Sequence, residues 1–473
     1  MAKLIRLLDR YQWVLLAAAA PFLISPSPRR SLALLVIPLI FLIGWLARRE
    51  PIPPTPLNGS LLLMAFMVLV SLWVTQDPAA SYEEVARILL GFAAYFCLAN
   101  YARSPGGLRW SLVFFILIGP GIAGIGLLGT QWITEKLNIL TRIADFFPAR
   151  WTGLARDASG FNANALAGGL VLVLPLLVTC TITLYYRSFS RPVQAEGGRK
   201  PWLPRLQAIG MGLVTLFVLS VFLLAQSRGA YLALAVILGV MLWWIAPRSW
   251  RIALAGIGLV GIVGLAVFLL KFSADPILKA PIQGSLLNGE TLPFDVLDSR
   301  IELWSRAIKA IQDFPLTGMG MGAFRQSVQR LYPLFLTPSD VDVVHAHNEF
   351  LQAALDLGIP GLIAFIGLYM GAFAMLVQLS HLDHKSAGLP VTDETSLPMK
   401  ALILGLGGGL AAYLLFSMVD VHVLTGRRGI IFWLLLGLIA GLHSCYAAGA
   451  RPDLTRLALS GASGEPRLQP PQE

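Results

Sequence analysis

Residues 161–186 read FNANALAGGLVLVLPLLVTCTITLYY, an apolar run without a single charged side chain. A membrane-crossing helix takes about 20 apolar residues, so this stretch is long enough to span a bilayer. It is one of many. A hydropathy window of about 19 residues finds further runs near 11–25, 31–47, 59–76, 85–101, 110–130, 205–226, 229–246, 251–271, 351–379, 399–418 and 428–449. The expected fold is therefore all-α and integral to the membrane, with about twelve transmembrane helices and a long outer loop containing amphipathic helices.

Composition agrees. The 473 residues are 56% apolar and 13% charged, with mean hydropathy +0.70, against roughly 45–50% apolar and about 25% charged for a soluble domain. This excludes a soluble nucleotide-binding or barrel enzyme, a disulfide-stapled secreted domain and a disordered chain. The net charge of +10 has no soluble basic domain to concentrate it, so no nucleic-acid partner is expected. Membrane lipid or a phosphorylated substrate fits better. Cys97, Cys180 and Cys445 lie in apolar runs without paired spacing and read as small core residues.

Lys and Arg are concentrated in the connections that face inward when the N-terminus is inside, despite Arg29 and Arg30 on the other side. Both termini are then expected in the cytoplasm. The organisation reads as nine spans over 1–271, a long outer-face loop over 272–350, three spans over 351–449 and a disordered tail over 450–473. Connections near 131–160 and 271–350 exceed the short-turn norm, and long loops in compact folds are usually functional. The basic linker 187–205 lies on the inner side.

Within the long loop, Ser299-Arg300-Ile301-Glu302 has the form of a capping box. Ile301, Trp304, Ile308 and Ile311 follow at helical spacing, predicting an amphipathic helix that ends before Pro315. Such a helix would lie along the outer membrane face, leaving Arg300, Arg306 and Lys309 to meet polar groups. The glycines of Gly318-Met319-Gly320-Met321-Gly322 suggest tight backbone packing at a turn, since neither a strand nor a βαβ unit gives them a dinucleotide-loop context.

Asp340, Asp342, His345, His347 and Glu349 cluster at the mouth of the tenth span. This set admits two readings: a divalent-metal site, or a single histidine acting as general base beside arginines. Arg228, in Gln226-Ser227-Arg228-Gly229, sits at a hinge between two spans, and a cation at that depth is a functional candidate by default. Arg228, Arg300 and His347 all map to the outer face. Two arginines and one base suit a diphosphate leaving group and a hydroxyl nucleophile. Asp420 and His422, before the last span, could orient the base or the acceptor, with a polar rim as the simpler account.

This constellation resembles the O-antigen ligase and O-antigen polymerase-like superfamily of bacterial polytopic membrane proteins. The matching stretches are Arg156 to Gly169, Ser227-Arg228-Gly229, Ser299 to Trp304, Pro315 to Phe324, and His347-Asn348 followed by Gly358-Ile359-Pro360-Gly361. Asn162-Ala163-Asn164 stands where the family often has Asn-Pro-Asn. The resemblance implies a glycosyltransferase of the inner membrane. It would act on the outer face, passing a glycan from a polyprenyl-diphosphate carrier to a glycan, lipid or protein hydroxyl, with inversion and without metal or cofactor. It implies His347 as the base, and Arg228, Arg300, Arg156, Asn164 and His345 as substrate-binding residues. The alternative is a secondary transporter of a small anion such as bicarbonate, which should place polar residues or broken helices near mid-membrane.

Overall fold

The computed structural model describes residues 2–24, 28–50, 52–130, 162–189, 202–274, 293–336, 343–385, 398–424 and 429–450. Arg156, Asp340, Asp342 and the 451–473 tail lie outside them. The described residues form helices and no β-strand. In order come α1 (Ala2–Arg10), α2 (Gln12–Ile24), a 3-10 turn (Pro28–Leu35), α3 (Val36–Arg48), α4 (Asn58–Val74), α5 (Pro78–Tyr101) and α6 (Pro105–Gly129). Then follow α7 (Ala163–Phe189), α8 (Trp202–Leu224), α9 (Arg228–Ile245), α10 (Arg248–Ala274), α11 (Pro293–Asp313) and α12 (Phe324–Leu331). The last three are α13 (Glu349–Lys385), α14 (Met399–Phe416) and α15 (Ile430–Ala450).

Within the described residues each of the twelve apolar runs lies largely in helix, the 31–47 run beginning in the 3-10 turn. Among the described residues, seven helices are both long and apolar enough to cross a membrane: α6, α7, α8, α9, α13, α14 and α15. The chain is a membrane protein. The outward faces of α8 and α9 carry exposed Leu213, Leu216, Leu232 and Trp244, which in lipid costs nothing.

The apolar window of α7 is 78% buried against 28% for α8, which makes α7 the centre of the bundle. Apolarity alone does not set α7 apart, since lipid accepts an apolar helix face as readily as protein does and α8 is about as apolar. α14 packs on it through Gly409, where an added Cβ would stand 2.2 Å from the Leu172 carbonyl oxygen. Small residues let helix backbones approach this closely in membranes, where dispersion contacts rather than water exclusion drive association.

α13 is broken near its N-terminal end. Gly358 has φ 69°, and the segment after α11 fills the break. The Met319 N–H donates to the Leu355 carbonyl at 2.7 Å and the Ile359 N–H to the Pro315 carbonyl at 2.7 Å. Gly318, Gly320 and Gly322 all have positive φ, so the expected tight glycine turn is present. The turn is also tied to α4 and α5: Ser71 Oγ accepts the Met321 N–H at 2.8 Å and Ser81 Oγ donates to the Met321 carbonyl at 2.6 Å.

The long-loop helix is longer than the sequence suggested. α11 begins at Pro293, a residue suited to the first turn because its missing N–H has no partner to lose there. Ser299 therefore lies inside the helix, and the expected capping box is not formed. The Glu302 carboxylate instead accepts the N–H groups of Phe335 at 2.7 Å and Leu336 at 2.9 Å. The buried stripe also shifts. Leu303, Ala307 and Ala310 pack with Phe324 and Val328 in a cluster separate from the main core, while Ile301 and Ile308 face outward.

Candidate functional site

Asn348 starts α13. Its side-chain oxygen accepts the N–H groups of Phe350 and Leu351, each at 3.0 Å, satisfying donors that a helix start leaves open. Glu349 is the first helical residue and is fully buried. Burying a carboxylate costs several kcal/mol unless its oxygens are hydrogen-bonded. Here they accept three successive N–H groups: His422 at 2.7 Å, Val423 at 3.0 Å and Leu424 at 2.8 Å. The Glu349 N–H in turn donates to the Ser417 carbonyl at 2.8 Å. Both oxygens being engaged in this way, Glu349 is a clamp between the α13 start and the 417–424 segment rather than a free ligand for the metal reading of that stretch.

That clamp brings His347 to Asp420. His347 Nδ1 lies 3.3 Å from Asp420 Oδ1, and the His347 side chain is 40% exposed against 6% for Asp420, so the ring's other edge can meet a substrate. His347 has φ 49°, a left-handed conformation that costs a non-glycine residue of order 1–3 kcal/mol. Asp420 Oδ1 also accepts the Val421 N–H at 2.9 Å. Its Oδ2 accepts the Asn164 amide, and the Asn164 carbonyl oxygen accepts the Ser227 hydroxyl. One line of polar contacts thus runs from the α13 start, through the segment after α14 and the first turn of α7, to the residue before α9.

Burial alone would raise the Asp420 carboxyl. The hydrogen bond from His347 and the nearby charge of His422, His347 and His345 outweigh it and hold the group below the usual carboxylate range. An ionised carboxylate only accepts hydrogen bonds. His347 Nδ1 is then the donor, and in the neutral ring Nε2 keeps a lone pair. His345 packs edge-on to His347 with ring centroids 4.3 Å apart, and its Nδ1 accepts the His347 N–H at 3.3 Å. Burial first, then the neighbouring charge of His347, hold His345 down at about 4, with Arg300 among the further contributors.

Arg228 is exposed at the first turn of α9, directly after Ser227 and the Gln226 hinge, where φ is 50°. Arg300 is half-buried in α11. That helix is fastened to the histidine segment by Trp304, whose indole N–H donates to the Ala346 carbonyl at 3.0 Å. The Ala346 N–H donates to Gln352 at 2.9 Å, and Gln352 donates to Asp356 at 2.9 Å. Of the residues expected in the site, His345, His347 and Asn164 meet directly through Asp420 or one another. Arg228 is the chain neighbour of Ser227, and Arg300 acts on His345 electrostatically, as the smallest of the causes that shift it. Sequence reasoning underrated Asp420 and passed over Ser227. The one available signal was a carboxylate and a histidine two residues apart in an otherwise apolar stretch.

Comparison with known proteins agrees with the resemblance read from the sequence. Residues 213–366 match the family described as O-Antigen ligase. The chain is also 26% identical over 225 residues to the exopolysaccharide production protein ExoQ of Rhizobium meliloti (strain 1021), a match covering 46% of this chain and 45% of that protein. The chain thus resembles the O-antigen ligase-like superfamily. The matched region holds Ser227, Arg228, Arg300, His345 and His347, while Asn164 and Asp420 come from either side of it.

Proposed function

We propose that the chain is a membrane glycosyltransferase that moves a glycan from a polyprenyl-diphosphate carrier to an acceptor hydroxyl of a glycan, lipid or protein. The observation that carries this reading is the half-exposed His347, held by buried Asp420, in a site that Arg228 and Arg300 border.

In the proposed reaction His347 Nε2 takes the proton of the acceptor hydroxyl as its oxygen attacks the anomeric carbon. The bond from that carbon to the diphosphate breaks, and its electron pair leaves on the diphosphate oxygen. A single displacement inverts the anomeric centre. Arg228 and Arg300 offer guanidinium forks to the phosphate oxygens, stabilising charge that grows as the carrier departs. Because two arginines meet that charge, the reaction needs no metal. Arg156, which lies outside the described residues, and His345 would line the donor site, with Asn164 fixing Asp420. The site would face outward across the inner membrane, with both termini in the cytoplasm.

The transport reading asks for polar residues or a helix break near mid-membrane. The break at Gly358 is occupied by backbone from Pro315 and Met319, which supports a structural role for it. The test is transfer by purified protein from a polyprenyl-diphosphate glycan after exhaustive chelation. Chelated wild type should retain full activity and His347→Ala should have none while inserting normally. Strict metal dependence, or wild-type turnover by His347→Ala, would overturn the reading.

A further inference from the structure

The same corner of the molecule carries a second chemistry. One ligand atom each from His345, His347 and Asp420 can be chosen so that all lie within 4.8 Å of one another. Two ligands about 2.0 Å from a tetrahedral zinc ion stand about 3.3 Å apart. That is the separation of His347 Nδ1 and Asp420 Oδ1, 3.3 Å. A small turn of the His345 ring, which is only partly covered, would bring a third donor to the same point and leave the fourth position to water. The supporting groups of a metal site are present as well. Asn164 holds the second oxygen of Asp420 and the Val421 N–H holds the first, and such outer contacts orient ligands and raise affinity. Two imidazoles and one carboxylate suit zinc and its neighbours in the first transition row rather than calcium or magnesium.

We infer that His345, His347 and Asp420 form a binding site for a divalent transition ion of the zinc type, and that occupancy switches the active site off. The second half rests on the proposed role of His347 as base. An ion on Nδ1 displaces the proton formerly shared with Asp420, and the neutral ring then carries its proton on Nε2. The acceptor hydroxyl then meets an N–H where it needs a lone pair.

The experiment uses full-length protein in detergent, purified through a histidine-free tag and stripped by chelation. Zinc uptake is measured by equilibrium dialysis and elemental analysis, and geometry by the visible absorption of added Co²⁺. Wild type should take up roughly one Zn²⁺ per chain and give the intense bands of a four-coordinate cobalt site. His345→Ala and Asp420→Asn should lose both, and the exposed-histidine control His381→Ala should keep both. No zinc uptake by wild type, or uptake unchanged in the Asp420→Asn variant, would overturn the site. Transfer assays separate the two claims. Zinc that binds yet leaves transfer untouched supports the site and refutes His347 as base. Absent binding with an inactive His347→Ala refutes the site and leaves the base standing.

Discussion

His347 and Asp420 are 73 residues apart in the chain, and Nδ1 of the first stands 3.3 Å from Oδ1 of the second. An imidazole placed this way has its tautomer chosen for it. Asp420→Asn should therefore leave donor binding nearly unchanged while lowering kcat by roughly 10²–10⁴, the range expected when an imidazole loses its orienting carboxylate. A merely structural role for Asp420 predicts less folded protein with kcat per folded molecule unchanged.

The arginines can be separated from lipid anchors by substituting lysine, which supplies charge but no fork. Arg228→Lys and Arg300→Lys should each reduce transfer by roughly 10²–10³, as for losing one preorganised donor at developing charge. Arg306 lies over the Phe335 ring at 5.4 Å and 3.9 Å from Glu302, and Arg306→Lys should turn over almost normally. Normal rates in all three would make Arg228 and Arg300 headgroup contacts.

Gly358→Ala tests the link between the long loop and α13. The added Cβ would stand 2.4 Å from the Leu316 carbonyl oxygen at a φ of +69°. The conformation alone costs of order 1–3 kcal/mol, and backbone cannot yield cheaply to the collision. Thermal unfolding in detergent should show a clear drop in midpoint, whereas Gly59→Ala, with open space at its Cβ, should show almost none.

His345 gives a pH signature of its own. Its folded value of about 4 lies below the ordinary 6.5, so between these values the unfolded chain binds the extra proton. The contribution of His345 to stability is then complete above about pH 6.5 and falls as pH drops toward 4, with a limiting slope of about 1.4 kcal/mol per pH unit. Asp420, being depressed, contributes fully above its ordinary 3.8 and adds no slope in this window. With chelator present, His345→Gln should flatten the midpoint change between pH 7 and pH 5. An unchanged slope would mean His345 is solvated.

Much of the architecture was legible in the linear chain because apolar run length and helical period are local properties. The runs that became helices, the membrane class and the positive-φ glycines at 318, 320 and 322 all follow from residues within a few positions of one another. Capping was less legible: Ser299 and Glu302 have the right spacing, but the helix found an earlier start at Pro293, and Glu302 closed a turn 33 residues away. What only the tertiary structure decided was which polar side chains meet. Asn164 and Asp420 are separated by 256 residues, and no periodicity pairs them. Their meeting depends on α7 lying at the centre, on Gly409 letting α14 approach it, and on the buried Glu349 clamping the 417–424 segment to the start of α13. A buried charge must find its partners wherever packing brings them, and those partners lie far away in the chain.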